Sequence, residues 1–274
     1  MQRFNSGEYW ERRLREHYTL AGVGYLRLGR RYNEWMYRVR GEVFDRVVAE
    51  IAAGKWGPGP PGHGWRGADV LDVGAGTGFY MERWIRFGAQ VLGMDFTPAA
   101  IEGLSIRFPG ARLVQADIGG SLEPISVRMG SFQAVSAFDV LFHIMDDAAY
   151  ARSFQNIASL LRPGGWLLWS DNFIRGGAVR APHQASRPLA ESLRVVEAAG
   201  FEVLGRVPMF VLMNYPADSR SRLARWAWTA MVAPAMVAEP LGWLTGALLF
   251  PIERRLVRRV KESPSTELMV CRKR

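Results

Sequence analysis

Apolar and polar positions along the 274-residue chain fall into three regimes. Up to residue 54 the pattern is helical. EYWERRLREHY mixes charges with aromatics, and EWMYRVRGEVFDRVVAEIAAG repeats apolar residues three and four apart, the spacing of one helix face. Between them TLAGVGYLRLGRRYN is punctuated by glycine and predicts a turn or a broken helix. GPGPPGHG, residues 57–64, suits neither helix nor strand and predicts a linker. From Ala68 short apolar runs alternate with helical segments. ADVLDVG precedes a helix near Tyr80–Phe87, AQVLGMD precedes one started by Pro98, and ARLVQAD follows as a third strand. FQAVSAF leads into a helix over roughly Asp146–Leu161. The turn RPGG opens GGWLLWSDN, a helix near Leu189–Ala199 precedes FEVLGRVPMFVLM, and TELMVCRK is a last strand. Such alternation predicts an α/β fold with a parallel sheet and helices on both faces.

Residues 213–262 interrupt the alternation. Glu239 divides their apolar stretch into two uncharged pieces of 13 residues, and Pro234 and Pro240 read as helix breakers. A membrane span needs about 20 predominantly apolar residues. Two or three short apolar helices capping the sheet are expected instead. The domain boundaries are therefore 1–64 for an N-terminal helical cap and linker, 65–212 for the core, 213–262 for a helical insertion, and 263–274 for the last strand.

Charge changes this picture in one respect. The net of +9 divides into +4 over residues 1–64, −1 over 65–212 and +6 over 213–274. The flanks are basic and the glycine-rich core is not, which hints at an anionic partner for the flanks. Only Lys55, Lys261 and Lys273 are lysine, so much of the excess is arginine that a GC-rich genome would supply anyway. The single Cys271 excludes a disulfide framework and a cysteine zinc site, and histidines 17, 63, 143 and 183 form no ligand cluster in sequence, so no metal is expected. The N-terminus lacks the apolar stretch of a signal peptide, and a cytoplasmic setting is expected.

The candidate chemistry starts at VLDVGAGTGFY, residues 70–80. A dinucleotide fold wants G-x-G-x-x-G. Here the third glycine falls one residue early, at Gly78, which disfavours a nucleotide-linked oxidoreductase. The run resembles the first motif of the class I S-adenosylmethionine-dependent methyltransferases, and four further motifs follow in order: MDFTPAAIE, QADI, FQAVSAFDVLFHI and LLRPGGWLLWSDN. The resemblance covers roughly residues 65–212 and the final strand. It implies a Rossmann-like doubly wound, mostly parallel seven-stranded sheet, with S-adenosylmethionine as cofactor and S-adenosylhomocysteine as product. Backbone at Gly74, Ala75, Gly76 and Gly78 would approach the ligand. By the same resemblance Asp72 would help hold the methionine ammonium through water, with backbone near Ala137 and Phe138 completing that site. Asp95 would accept from both ribose hydroxyls with two free oxygens, Phe96 would pack on the adenine, and Asp117, beside Ile118, would accept from its amino group.

Methyl transfer from a sulfonium is an in-line displacement that requires alignment and exclusion of water. A base helps only some acceptors. His143 is the candidate base, with Asp139 four residues earlier placed to orient it if the stretch is helical. Tyr18 and Tyr25 are candidates to close over the cofactor, while Trp35 and Tyr37 read as helix packing. The expected acceptor is an oxygen, nitrogen or sulfur of a small, largely apolar molecule, roofed by the apolar helices of the insertion. The rivals are methylation of nucleic acid or protein, and a cofactor-binding protein at a membrane without catalysis. The first is disfavoured because no base-flipping tetrad or RNA-binding module appears. The second, or a peripheral contact of the enzyme with anionic membrane, draws on the arginines at 220–225 and 254–259 around Trp and Leu.

Overall fold

The computed structural model describes residues 5–60, 64–123, 125 and 129–274. The middle of the expected linker, residues 61–63 with His63, lies outside them. The N-terminal segment forms α1 (Ser6–Glu16), α2 (Leu20–Val23), a short 3-10 turn at Leu26–Leu28 and α3 (Gly29–Ala52). The expected break between two helices thus becomes a two-part connection. Asn5 and Thr19 cap α1 and α2 through their side chains.

The core alternates strands β1 (Asp69–Val73), β2 (Gln90–Asp95), β3 (Arg112–Gln115), β4 (Phe132–Ala137) and β5 (Leu161–Asp171) with α4 (Phe79–Arg86), α5 (Pro98–Arg107) and α6 (Asp147–Leu160). A hairpin of β6 (Val179–Ala181) and β7 (Gln184–Ser186) follows, then α7 (Leu189–Ala198), β8 (Phe201–Pro208), α8 (Arg222–Val237), α9 (Glu239–Arg259) and β9 (Glu267–Lys273). The seven-stranded sheet has the order β3-β2-β1-β4-β5-β9-β8. Only β9 runs against its neighbours. The chain order reverses between β1 and β4, and ligands of such sheets bind at that switch point, beyond the carboxyl ends of the strands. One core, built on α3 and α4, packs on one face, and a second, built on α6, packs on the other.

Three local expectations are corrected. RPGG is not a turn before β5 but part of it, with the register shifting opposite Phe132 and Ala134. Pro234 sits inside α8 and Pro240 in the first turn of α9, where a missing N–H costs nothing. The insertion is therefore two long helices joined at Ala238, not several short ones. Its two helices border neither of the two cavities at the switch point. Helix α9 lies along α3: Glu239 accepts from Arg30 N and Arg31 N, both at 2.8 Å, and Trp35 packs on Trp243 and Phe250. Glu253, buried, accepts from Val211, Leu212 and Met213 N, so the loop after β8 is fixed to α9. The β6–β7 hairpin had no apolar signal: all three residues of β6 are exposed.

Candidate functional site

The loop after β1 is shaped by backbone that L side chains avoid. Gly76 has φ +53° and Gly78 φ +80°. A Cβ on Gly76 would lie 3.0 Å from Val23, and one on Gly78 would lie 2.3 Å from Phe108. The first glycine therefore accommodates the N-terminal segment, and the second accommodates the packing of α4 on α5. A cleft of about 100 Å³ opens over the loop, bordered by Gly74, Ala75, Gly76, Asp95, Phe96 and Phe138 among the expected cofactor residues.

The other five do not border it. Asp72 is buried within the sheet and accepts from Ser136 Oγ at 2.6 Å; burial pushes its carboxyl up to about 7. Gly78 is occupied by helix packing. Asp117 is exposed and accepts from Gly119 N at 2.8 Å. Ile118 and Ala137 belong to the core on the α6 face.

Asp95 also departs from expectation, because its oxygens are not free. Oδ2 accepts from Gly76 N at 3.0 Å, and Oδ1 accepts from Thr97 N at 3.0 Å and Thr97 Oγ1 at 2.8 Å. Thr97 in turn caps α5. A carboxylate offers about four lone-pair sites, so three internal bonds leave room for a ligand but not for two unshared oxygens. Burial pushes this carboxyl upward while the Thr97 and Gly76 donors pull it down.

The N-terminal segment closes the cleft. Trp10, Leu14 and Val23 border it, and none of them was singled out as a site residue from sequence. Helix α1 is fastened to α5 by Glu11, which accepts from Ala99 N at 3.0 Å, and by Arg15 on Glu102. Tyr18 borders neither cavity. Its hydroxyl donates to Gly76 O at 3.1 Å while its ring covers Gly103, so it fastens the segment to the loop from outside. Tyr25 lies farther out, edge-on to Trp228.

A second, larger chamber of about 540 Å³, the outer chamber, adjoins the cleft. The two share Trp10, Val23, Tyr37, Asp139 and His143 as lining. Tyr37, although buried in α3, is therefore more than helix packing. From residues 213–262 only Asn214, Tyr215 and Ala217 border the chamber, all of them before α8.

His143 stands at the junction of both cavities, but Asp139 does not orient it. Only Leu141–His143 form a 3-10 turn, and Asp139 has a left-handed φ of 57°. Its carboxylate is paired with Arg40 and accepts from Ser170 Oγ at 2.9 Å. The partner of His143 comes from the β6–β7 turn: Nδ1 lies 2.6 Å from His183 O. A carbonyl only accepts, so Nδ1 carries the proton and Nε2 is left with its lone pair. Trp10 packs edge-on against the ring, and burial pushes its pKa down to about 3. Two histidines far apart in sequence are thus neighbours. Among the described residues no group of His, Cys, Asp or Glu is placed to hold a metal ion.

This arrangement defines a doubly wound α/β domain with a glycine loop at the switch point and two joined cavities above it. Residues 70–165 match the family model described as a methyltransferase domain. Over 106 residues the chain is 39% identical to the ubiquinone biosynthesis O-methyltransferase of Xanthomonas campestris pv. campestris, covering 38% of this chain and 43% of the relative. The Albidiferax ferrireducens protein of the same name is 33% identical over 110 residues, covering 38% and 41%. The chain thus spans about two-fifths of the length of these curated relatives. Among solved structures, a methyltransferase from Leishmania major superposes with a TM-score of 0.61 at 14% identity, over 98% of this chain and 81% of that one. The [4+2]-cyclase SpnF gives 0.52 at 18% identity, over 84% and 80%. Over residues 70–165 the chain is thus similar to methyltransferases, and its fold is that of a solved S-adenosylmethionine-dependent methyltransferase.

Proposed function

We propose that the protein transfers a methyl group from S-adenosylmethionine to a small molecule, with oxygen as the favoured acceptor atom. The observation that carries this is the junction: the glycine loop and Asp95 border one cavity, and a second cavity meets it at Asp139 and His143. The residues present suit the cofactor. Backbone at Gly74–Gly76 offers a close approach, Asp95 keeps acceptor capacity at the end of β2, and Phe96, 37% exposed, offers an aromatic face. Bound there, S-adenosylmethionine supplies an electrophilic methyl on sulfur. The chain's part is to hold the acceptor behind that methyl and to exclude water, which Trp10, Leu14 and Val23 do by covering the cleft. Ligand sites usually measure about 300–1,000 Å³, so the smaller cleft admits the cofactor by outward movement of α1 and α2. The test is incubation with methyl-labelled S-adenosylmethionine and an extract of the source cells, with Asp95→Ala as background. Label in small molecules is expected; label confined to macromolecules would transfer the substrate class to nucleic acid or protein.

A peripheral membrane contact is the second part of the proposal. No helix among the described residues is long and apolar enough to cross a membrane. Yet α8 and α9 expose Leu223, Trp226, Val237, Leu244 and Leu248, and Arg222, Arg225, Arg255 and Arg259 stand at their ends away from the turn. An apolar face with a basic margin suits the surface of an anionic bilayer. Flotation with phosphatidylglycerol vesicles at low salt is expected to carry the protein, and Trp226→Ser with Leu248→Ser to release it. Absence of binding removes this part.

A further inference from the structure

We propose that the outer chamber binds a small carboxylate, an acceptor with an apolar body and one anionic end anchored by Arg27 and Arg40. The inference rests on the methyltransferase reading and names its substrate class.

The charges that border the chamber are Arg13, Arg27 and Arg40 against one acid, Asp139. Asp139 is already matched by Arg40 and Ser170. Arg13 is committed elsewhere: it donates to Gly22 O and Gly24 O, each at 2.6 Å, and to Tyr9 Oη at 2.7 Å. Arg27 is exposed at the rim and makes no ion pair or hydrogen bond among the described residues. Arg40 is 6% exposed, and its Nε has no hydrogen-bond partner. Burial is the strongest single influence and works against its charge, but the Asp139 carboxylate together with Tyr80 and Tyr37 outweighs it and keeps the guanidinium protonated. A carboxylate is the group that a guanidinium fork matches best, and Arg27, exposed and without an ion pair, has its fork free for one. Tyr25, Met36, Tyr37 and Phe142 give the wall an aromatic and apolar part that suits a hydrocarbon body, beside the polar side chains of Asn33, Asn172, Gln184, Asn214 and Thr266.

The chemistry at the junction agrees. A carboxylate is ionised at neutral pH and needs no base. His143, held neutral with a conjugate acid near 3, is a weak proton acceptor and suits such a substrate better than a hydroxyl. In the step, a carboxylate oxygen lone pair forms the new C–O bond to the methyl carbon. The C–S bond breaks with its electron pair going to sulfur. The negative charge of the acceptor and the positive charge of the sulfonium cancel, and no proton moves. The methyl ester has lost the charge that held it to the arginines, which favours its release.

The test uses the full chain saturated with S-adenosylhomocysteine. Equilibrium dialysis measures benzoate and decanoate, each against its primary amide. At least one carboxylate is expected to bind tenfold or more tightly than its amide, and Arg27→Ala is expected to remove most of that preference while S-adenosylhomocysteine affinity stays unchanged. Arg40→Lys, which keeps a charge but not the fork, is expected to weaken it as well; if that variant does not fold, Arg27→Ala carries the test. Equal affinities for acid and amide, or a preference untouched in Arg27→Ala, overturn the proposal. Titration with S-adenosylhomocysteine reads the parent proposal separately: failure to bind it, with the carboxylate preference intact, would count against methyl transfer and not against the anion site.

Discussion

Asp95→Asn is the substitution that separates scaffolding from ligand binding. In the protein without ligand the carboxylate already accepts three hydrogen bonds, one from the glycine loop and two from Thr97. Asparagine offers one acceptor oxygen and one NH2. If the oxygen serves Thr97, the NH2 faces Gly76 N, donor against donor. Leaving that buried N–H unpaired costs roughly 1–3 kcal/mol, and the bonds to Thr97 fall from charge-assisted to neutral, about half as strong. Relief of the buried charge offsets part of this, since burial pushes the Asp95 carboxyl upward. A net loss of about 2 kcal/mol remains, equivalent to a fall in Tm of roughly 4–8 °C for a chain near this size. Thermal unfolding without cofactor reads the structural part, and calorimetric titration with S-adenosylhomocysteine reads the binding part. Asp117→Asn is the control: Asp117 is exposed and makes one local bond, so its Tm stays within about 1 °C. An unchanged Tm for ligand-free Asp95→Asn refutes the reasoning, because the carboxylate would then be idle until a ligand arrives.

Three further outcomes are expected. Gly103→Ala places a Cβ 2.1 Å from the Tyr18 ring, so the ring must leave and the bond to Gly76 O goes with it; limited proteolysis should cut residues 5–28 faster, and an unaltered rate would mean that Tyr18 does not fasten the segment. Asp72 titrates near 7 when folded against an ordinary 3.8, so the native state holds a proton that the unfolded chain has lost, and stability falls as pH rises from about 4 to 7, then levels. Asp171, shifted to about 7 by burial, adds the same sign; urea titrations across that window should show a shallower fall for Asp72→Asn, and an equal slope would reject the shift. His143→Ala should keep the pH dependence of methyl transfer to a carboxylate between pH 6 and 9, and the appearance of a new inflection or loss of an old one would restore the histidine as a base.

The strands and helices that carry the cofactor motifs were readable because their signal is local. An apolar run such as VLDVG ends in a turn that only glycine can make, and Asp146 and Thr97 announce α6 and α5 by capping them. What could not be read depends on distant partners. Asp139 and His143 are four residues apart and look coupled, yet a left-handed residue between strand and turn sends one to Arg40 and the other to His183. Asp95 looked free because two of its three partners are backbone N–H groups, which no sequence pattern displays. The prolines of the insertion looked disruptive because the pattern does not say where a helix starts; Pro240 falls in a first turn, and Pro234 is carried inside a helix whose other face is packed.

The division between readable and unreadable parts also bears on how far relatives inform the substrate. The matched family region is residues 70–165. It holds the glycine loop, Asp95, Phe138, Asp139 and His143, while Trp10, Leu14, Val23 and Tyr37 complete the cleft and the junction from outside it. The walls of the outer chamber come mainly from before and after it: Arg27, Asn33, Met36 and Arg40 on one side, Asn172, Gln184, Asn214 and Thr266 on the other. The curated relatives align with only about two-fifths of their length. Resemblance therefore carries the cofactor chemistry and stops where acceptor recognition begins. SpnF makes the same point from the side of structure, since a fold of this kind is that of a [4+2]-cyclase. The acceptor has to be argued from the residues that this chain places around the chamber, and there the unpaired positive charge of Arg27, with the Arg40–Asp139 pair on the same wall, is the strongest feature.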